Sequence, residues 1–313
     1  MFDVIGDVHG QAATLRRLLE RLGYRRDGEA MRHPERTAVF LGDLVDRGPD
    51  APGCVRLVRA MVDAGAARAI MGNHEWNLLA WHTTHPATGL PLRSHSPAHR
   101  RQAAATLGQY AASGGLESDL QWMRSLPPAL DLGGLRVVHA TWDPRLIEVL
   151  ERRRDAEGRL DDAGMIDSAD PDSEANTAVE TVLKGREGKL PHGWEAMDAD
   201  GRSRRRIRLR WFDDPANRSW PDYALQPGVR LPDLPLPPKV LDQAVPYPDD
   251  APPVIFGHYC LPQPHPAIFR PNVACIDHGA GRGWRLTAYR WAGESELTPE
   301  HLVSEAADRP VGH

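Results

Sequence analysis

Three short polar motifs near the start of the chain each begin with glycine and follow an apolar segment. They are Gly6–Gly10 (GDVHG), Gly42–Gly48 (GDLVDRG) and Gly72–Glu75 (GNHE). Residues two apart in extended backbone point the same way, so Asp7 and His9 are placed to bind one metal ion. Carboxylate, imidazole and amide side chains are typical ligands of divalent metal ions. The three motifs therefore indicate metal-dependent chemistry.

Single residues within and beyond these motifs extend the pattern. Asp43 offers a carboxylate with two oxygens, which suits a bridge between two cations. Asn73 can ligate through its amide oxygen, while the adjacent His74 faces a substrate. His139 and His258 follow two later apolar segments. Each motif alone is also consistent with a helix cap or a solvated turn, but their repetition after five predicted strands favours one shared site.

The elements that must position these residues alternate along the first part of the chain. Short apolar runs predict strands, and amphipathic stretches between them predict helices, in the order β-α-β-α-β: Phe2–Ile5, Gln11–Leu22, Ala38–Leu41, Ala51–Ala64 and Ala67–Met71. Ligands in such folds bind beyond the carboxyl ends of the strands. All of the motifs fall at those ends.

The rest of the chain predicts one domain over 1–313 with an insertion. Two helices are expected within 97–125, separated by Gly114 and Gly115, and strands are expected at Leu135–His139, Val254–Phe256, Asn272–Ile276 and Trp284–Arg290. Charge clusters and proline-rich runs replace the regular alternation over 144–250, which indicates an inserted or cap segment. Residues 294–313 are predicted to be a polar C-terminal tail.

Composition excludes several functional classes. The net charge of -5 gives no basic field for duplex nucleic acid. No apolar stretch approaches the roughly eighteen residues of a membrane-spanning helix, and no signal-peptide pattern is present, so a cytoplasmic location without membrane binding is expected. The three cysteines lack C-x-x-C spacing, which disfavours disulfides and a thiolate metal site.

Taken together, the motifs GDVHG, GDLVDRG, GNHE, VHA and GH resemble those of the calcineurin-like metallophosphoesterases. The resemblance implies an α/β (α+β-like) fold, a β-sandwich of mixed sheets flanked by helices. The sequence Asp46-Arg47-Gly48 resembles the corresponding motif of one branch of this family, which contains bacterial serine/threonine phosphoprotein phosphatases and symmetrical diadenosine tetraphosphate hydrolases. Phosphodiesterase branches commonly end in GHxH, and the second histidine is absent here, where Cys260 follows Tyr259.

The resemblance also implies a ligand set for two divalent metal ions. Asp7 and His9 would bind the first ion, Asn73, His139 and His258 the second, and Asp43 both. Manganese is favoured by the family resemblance, while iron, zinc, cobalt and nickel remain open because the donor types suit them all. Two such ions support in-line attack by a bridging hydroxide without a covalent intermediate.

Further roles follow from the same resemblance. His74 is expected to be the general acid, with Asp46 favouring its imidazolium form. Arg47 is expected to bind the phosphate through its planar guanidinium, and Asn73 also lies on the substrate side. Arg210 is a candidate second substrate-binding arginine, although a solvated basic strand explains it equally well.

The substrate is less well defined than the chemistry. A phosphoprotein phosphatase-like phosphomonoesterase is the favoured interpretation, because the tetraphosphate hydrolases often carry Asn at the position of Asp46 and Asp at that of Glu75. A symmetrical bis(5'-nucleosyl)-tetraphosphate hydrolase producing two ADP is the alternative. The substrate could thus be a phosphoprotein, a dinucleoside polyphosphate or a small phosphoester. A catalytically silent metal-binding interaction module is disfavoured by the complete ligand set, and the sequence indicates no oligomeric state.

Overall fold

Two five-stranded mixed sheets form the centre of the molecule. The computed structural model describes residues 1–197, 203–225, 229–262 and 267–308. The strands are β1 Phe2–Ile5, β2 Arg25–Asp27, β3 Ala30–Arg32, β4 Thr37–Phe40, β5 Ala67–Ala69, β6 Ala129–Asp131, β7 Arg136–Val138, β8 Glu187–Lys189, β9 Ala196–Met197, β10 Ser203–Arg204, β11 Arg206–Arg208, β12 Val254–Phe256, β13 Ile268–Arg270, β14 Val273–Cys275, β15 Arg285–Trp291 and β16 Leu302–Ala306.

Helices flank these sheets and also build much of the segment between β7 and β12. They are α1 Ala12–Leu22, α2 Ala51–Asp63, α3 Asn73–His82, α4 Pro97–Ser113, α5 Leu116–Met123, α6 Pro144–Glu151, α7 Asp162–Ala169, α8 Glu174–Ala178, α9 Trp220–Tyr223 and α10 Pro238–Asp242. A π-helical turn, Val179–Leu183, continues α8. Among the described residues, no helix is long and apolar enough to cross a bilayer.

Each sheet has three adjacent parallel strands and two antiparallel strands, which lie on one side of the parallel set in the first sheet and on both sides in the second. The first sheet has the order β16-β15-β1-β4-β5, with β1, β4 and β5 parallel. The second has the order β13-β14-β12-β7-β6, with β7, β12 and β14 parallel. Six parallel strands therefore present their carboxyl ends to the loops that follow them.

The two-residue periodicity of the strands divides the buried side chains into two layers. Val4 of the first sheet and Ile255 of the second belong to one apolar cluster, which lies between the sheets. Their neighbours Ile5 and Phe256 belong to a larger cluster together with helical residues such as Leu15. The predicted fold class, a sandwich of mixed sheets flanked by helices, is therefore confirmed.

The C-terminal segment differs from the expected polar tail. Residues 302–306 form β16, which pairs antiparallel with β15 at the edge of the first sheet. The Glu305 carboxylate of this strand lies 3.5 Å from Arg17 and 3.6 Å from Arg21 of α1. The segment is therefore polar because it is an edge strand whose charged side chain pairs with basic side chains of a helix. Of the predicted tail, 309–313 lie outside the described residues.

The segment 144–250 contains α6 to α10 and β8 to β11. It has a small apolar cluster of its own, in which Ile207, Trp220 and Tyr223 are almost fully buried. Positions 198–202 and 226–228 of this segment lie outside the described residues. Its assignment as a cap within a single domain remains a prediction.

Candidate metal centre and active site

Loops that follow five of the six parallel strands bring the predicted site residues together. Because these strands run parallel to one another within each sheet, their carboxyl ends lie on the same side, and the loops converge there. The loop after β1 carries Asp7 and His9, that after β4 carries Asp43, Asp46 and Arg47, that after β5 leads to Asn73 and His74, and those after β7 and β12 carry His139 and His258.

Asp43 lies at the centre of this arrangement. Its Oδ2 is 3.5 Å from His9 Nε2 and 3.9 Å from His74 Nε2, and its Oδ1 is 3.4 Å from His139 Nε2. His9, Asp43 and His74 form one cluster able to hold an ion, and Asp43, His139 and His258 form a second. A single carboxylate shared by two clusters is the arrangement expected of a bridging ligand.

Asn73 and Asp7 complete the set predicted from the sequence. The Asn73 amide oxygen lies 3.0 Å from His139 Nε2 and 2.8 Å from His258 Nδ1. Asp7 uses Oδ2 to accept the backbone N–H of His258 at 3.0 Å. We refer to Asp7, His9, Asp43, Asn73, His139 and His258 as the metal centre.

Two atoms of the metal centre show that its donor set fits a metal ion. Asp7 Oδ1 and His258 Nε2 are buried and have no hydrogen-bond partner among the described residues. Buried polar atoms are normally satisfied, so unpaired ligand atoms at one site indicate a missing binding partner. The donors are carboxylate and amide oxygens and imidazole nitrogens, without thiolate, which suits divalent ions such as manganese, iron or zinc.

Backbone carbonyls fix the tautomers of two ligand histidines. His9 Nδ1 lies 3.0 Å from the carbonyl oxygen of Val45, and His139 Nδ1 lies 2.7 Å from that of Leu41. Because a carbonyl oxygen only accepts, each Nδ1 must carry the proton. The neutral ring then presents the lone pair of Nε2 to Asp43 and its neighbours, as a metal ligand must.

The charges around Asp43 keep its carboxylate ionised. Burial opposes the charge of this carboxylate, but His139 and His74 outweigh it and hold the pKa of Asp43 well below its ordinary value. Burial likewise opposes protonation of His139, yet Asp43 raises the pKa of His139 to about 10. Since ligation requires the neutral ring, a cation and a proton compete for His139.

Two other ligand histidines are shifted in the opposite direction. Burial, followed by the nearby charge of Arg47, lowers the pKa of His9 well below its ordinary value. Burial and the charge of Arg208 do the same to the pKa of His258. Both rings are therefore neutral, and available as ligands, near neutral pH.

The site loops contain most of the unusual backbone in the described part of the chain. Seven non-glycine residues there have a left-handed φ, and six of them belong to these loops: His9 (47°), Asp43 (51°), Asp46 (67°), Arg47 (70°), His258 (69°) and Cys260 (50°). Such conformations are unfavourable for residues with a Cβ and persist only where the surroundings enforce them. Their concentration here marks the loops as functional.

Glu75 stabilises the unusual backbone of the loop that carries Asp43. This fully buried carboxylate accepts the backbone N–H groups of Asp43 and Leu44, each at 2.7 Å, and that of Gly72 at 3.0 Å. The second and third motifs also approach closely, because a Cβ on Gly42 (φ 88°) would lie 2.3 Å from the nitrogen of Gly72. Glycine is thus required at position 42, and Glu75 holds the turn that carries Asp43.

The predicted catalytic residues lie beside the metal centre. His74 Nδ1 is 2.6 Å from Asp46 Oδ2, and the backbone N–H of His74 donates to Asp43 Oδ1 at 2.9 Å. Arg47 is half-buried next to His9, and its guanidinium makes no hydrogen bond or ion pair with any described residue. It is therefore available to an anionic ligand.

The structure does not bring Arg210 to this centre. Its Nε donates to Asp213 at 2.7 Å, and its guanidinium lies over Phe212. Arg208, which the sequence reasoning missed, instead donates to the backbone carbonyl of His258 at 3.2 Å. Arginines recur at every second position from 206 to 210, so the sequence pattern does not distinguish them. Strand β11 ends at Arg208, and only the tertiary structure shows which arginine lies beside His258.

A cavity of about 840 Å³ adjoins the metal centre. Asn73 and His258 line it on one side, and residues of 144–250, including Arg208 and Tyr223, line it on the other. Four other cationic side chains that line it are each paired with a carboxylate: Arg145 with Glu174, Lys184 with Glu180, Arg186 with Asp143 and Arg206 with Glu187. Arg208 makes no such pair with the described residues and contributes an uncompensated charge.

Comparisons with known proteins identify a family and several relatives. Residues 1–231 match the family described as calcineurin-like phosphoesterase. An asymmetrical bis(5'-nucleosyl)-tetraphosphatase of Bacillus velezensis is 34% identical over 33% of this chain, and the match covers only 45% of that protein. A symmetrical bis(5'-nucleosyl)-tetraphosphatase of Chromohalobacter salexigens is 28% identical over 95% of this chain and 97% of its own length. A protein-tyrosine phosphatase of a Shewanella species aligns over 95% of this chain and 79% of its own, with 17% identity and a TM-score of 0.47.

Proposed function

The chain belongs to the calcineurin-like phosphoesterase family, and we propose that it hydrolyses a phosphate ester at the metal centre described above. The observation that carries this proposal is the position of Asp43, whose carboxylate lies between His9 on one side and His139 and His258 on the other. The unpaired ligand atoms of Asp7 and His258 support it, because they are placed to complete the coordination of an ion.

Two divalent ions held by the metal centre would make water a stronger nucleophile at neutral pH and neutralise charge on the phosphate oxygens. We propose manganese, following the family resemblance of the motifs. The role of the chain is to fix the ligands before the substrate arrives. Backbone bonds from His9 and His139 and the hold of Glu75 on the turn at Asp43 serve this purpose.

His74 is proposed to protonate the leaving oxygen. Asp46 occupies its Nδ1 at 2.6 Å, while its Nε2 lies 3.9 Å from Asp43 and so faces the metal centre. A positioned acid of this kind contributes roughly 10²- to 10⁴-fold to a rate. Arg47, which is unpaired among the described residues, is proposed to bind the phosphate through two N–H groups.

For the substrate we propose a dinucleoside polyphosphate, cleaved symmetrically so that diadenosine tetraphosphate gives two ADP. The full-length similarity to the Chromohalobacter protein, which extends through 144–250, supports this choice. The cavity supports it as well, because about 840 Å³ beside the metal centre lies within the usual range of small-molecule sites. Arg208 adds a positive charge where a phosphate chain would leave the centre.

A phosphomonoesterase acting on phosphoproteins is the second candidate. It is favoured by Asp46 and Glu75, which differ from the residues that the symmetrical hydrolases often carry. In the structure both carboxylates are engaged, Asp46 with His74 and Glu75 with the backbone of Asp43. These bonds explain the structural roles of the two carboxylates, but they do not distinguish between the two candidate substrates.

Product analysis distinguishes the candidates. Manganese-loaded protein is given diadenosine tetraphosphate, a phosphothreonine peptide and an aryl phosphate in parallel, each with a chelated control and with Asp43→Asn protein. Preferred formation of two ADP supports the dinucleotide proposal, whereas preferred release of phosphate from the peptide supports the second candidate. Absence of turnover with all three substrates would leave a silent metal-binding module as the better description.

A further inference from the structure

One face of α4 contacts the loop that carries Asp46 and Arg47. Gln102, Thr106 and Gln109 are spaced four and three residues apart, so they lie on the same side of the helix. Each makes a hydrogen bond to the turn 46–51 or approaches His74. We call these three residues the α4 clamp. None of them belongs to a motif that binds metal.

Thr106 makes the most direct of these contacts. Its fully buried hydroxyl accepts the backbone N–H of Asp46 at 2.9 Å and donates to Asp46 Oδ1 at 2.7 Å. The other carboxylate oxygen of Asp46 is the one that lies 2.6 Å from His74. Thr106 therefore fixes both the backbone and the carboxylate orientation of the residue that holds the proposed general acid.

The two glutamines hold either end of the same arrangement. Gln109 accepts the N–H of Ala51 at 2.7 Å and donates to the carbonyl of Gly48 at 2.9 Å. Gln102 accepts from Arg93 at 2.8 Å, which fixes its amide orientation, and its Nε2 lies 3.4 Å from His74 Nδ1. The clamp thus spans the turn from its first residue to the start of α2.

The turn needs such support because its backbone is strained. Asp46 and Arg47 are consecutive left-handed residues with φ of 67° and 70°. Such a conformation is unfavourable for residues with a Cβ, and it persists only when surrounding contacts over-determine it. Gly48 is packed against the first motif, where an added Cβ would lie 2.1 Å from the carbonyl oxygen of His9.

We propose that Thr106 and Gln109 are positioning residues that align the Asp46–His74 pair with the leaving oxygen of the substrate. This inference rests on the proposed function, because it assigns a role in protonating a leaving group. Neither side chain hydrogen-bonds to a residue of the metal centre. Their loss therefore weakens acid catalysis and leaves metal binding in place.

Two aryl phosphates with different leaving groups test the proposal. Phenoxide needs protonation far more than 4-nitrophenoxide does, so general-acid defects appear mainly with phenyl phosphate. We expect Thr106→Val to lower kcat on phenyl phosphate roughly 10- to 100-fold but kcat on 4-nitrophenyl phosphate less than about threefold, with bound metal within about twofold of the wild type. Gln109→Leu should give the same pattern, and Thr106→Ser, which retains the hydroxyl, should restore it.

Thr83→Val is the matched control. Thr83 is also a buried threonine, and its hydroxyl donates to the carbonyl of Leu79 at 2.9 Å, away from the Asp46 turn. Its replacement should leave the ratio of the two kcat values unchanged. An equal loss on both substrates in Thr106→Val, or failure of Thr106→Ser to restore the ratio, overturns the inference. A wild-type protein that binds metal but turns over neither the aryl phosphates nor diadenosine tetraphosphate instead overturns the proposed function, and the inference with it.

Discussion

Glu75→Gln should destabilise the fold strongly, although it replaces a single side-chain oxygen. Each oxygen of the buried Glu75 carboxylate accepts two backbone N–H groups: Oε2 accepts those of Asp43 and Gly72, and Oε1 accepts those of Leu44 and Val45. An amide can be placed in two orientations, but in either one its NH₂ group faces two donors. Two charge-assisted bonds are lost, each with a contribution of about 1.5–3 kcal/mol. We therefore expect the free energy of unfolding to fall by about 3–6 kcal/mol.

Urea unfolding of metal-free protein, followed by tryptophan fluorescence, measures this loss without a contribution from ion binding. Glu20→Gln is the control, because Glu20 lies on the exposed side of α1 and the same change there should alter stability by less than about 0.5 kcal/mol. A loss below about 1 kcal/mol in Glu75→Gln would refute the reasoning. That result would mean that the carboxylate does not hold the Asp43 turn through its charge.

Three further predictions concern the active site. His74→Asn should lower kcat on diadenosine tetraphosphate at least roughly 100-fold while leaving the metal content, measured by mass spectrometry, unchanged; normal turnover would remove His74 from catalysis. Arg47→Lys should lower kcat/KM roughly tenfold or more, because a lysine cannot make two parallel bonds to phosphate, whereas Arg210→Ala should stay within about twofold in the same assay; the reverse order would restore Arg210 as the substrate-binding arginine. Asp43→Asn should reduce the metal bound per chain, since an amide is a poorer bridge than a carboxylate, and full retention in equilibrium dialysis would contradict the bridging role.

The sequence predicted the central strands closely because their apolar runs are short and bounded by glycine. Val254–Phe256 was predicted with its exact bounds, and the strands that precede Asp7 and Asp43 were placed to within a residue. These strands are buried on both faces, so their sequences are continuous apolar runs. Such runs are recognisable without knowing which face is exposed to solvent. The convergence of the motifs then followed from the rule that ligands bind beyond the carboxyl ends of parallel strands.

The C-terminal strand was missed for the opposite reason. Leu302–Ala306 is a half-buried edge strand, and the stretch before it, 294–301, contains three glutamates and a proline. Its pairing depends on β15 and its charge is compensated by α1, two elements distant from one another in sequence. Local patterns contain neither partner, so they predict a tail.

Arg208 and the α4 clamp share this dependence on tertiary contacts, and they lie on the parts of the chain that carry no motif. Thr106 is separated by sixty positions from Asp46, its partner, and fifty positions separate Arg208 from His258. The motifs supply the reactive groups, whereas the unusual backbone at Asp46 and Arg47 has to be enforced from elsewhere. Substitutions at α4 should therefore change the rate of the chemical step while every motif residue stays intact, and a survey confined to the motifs would not find them.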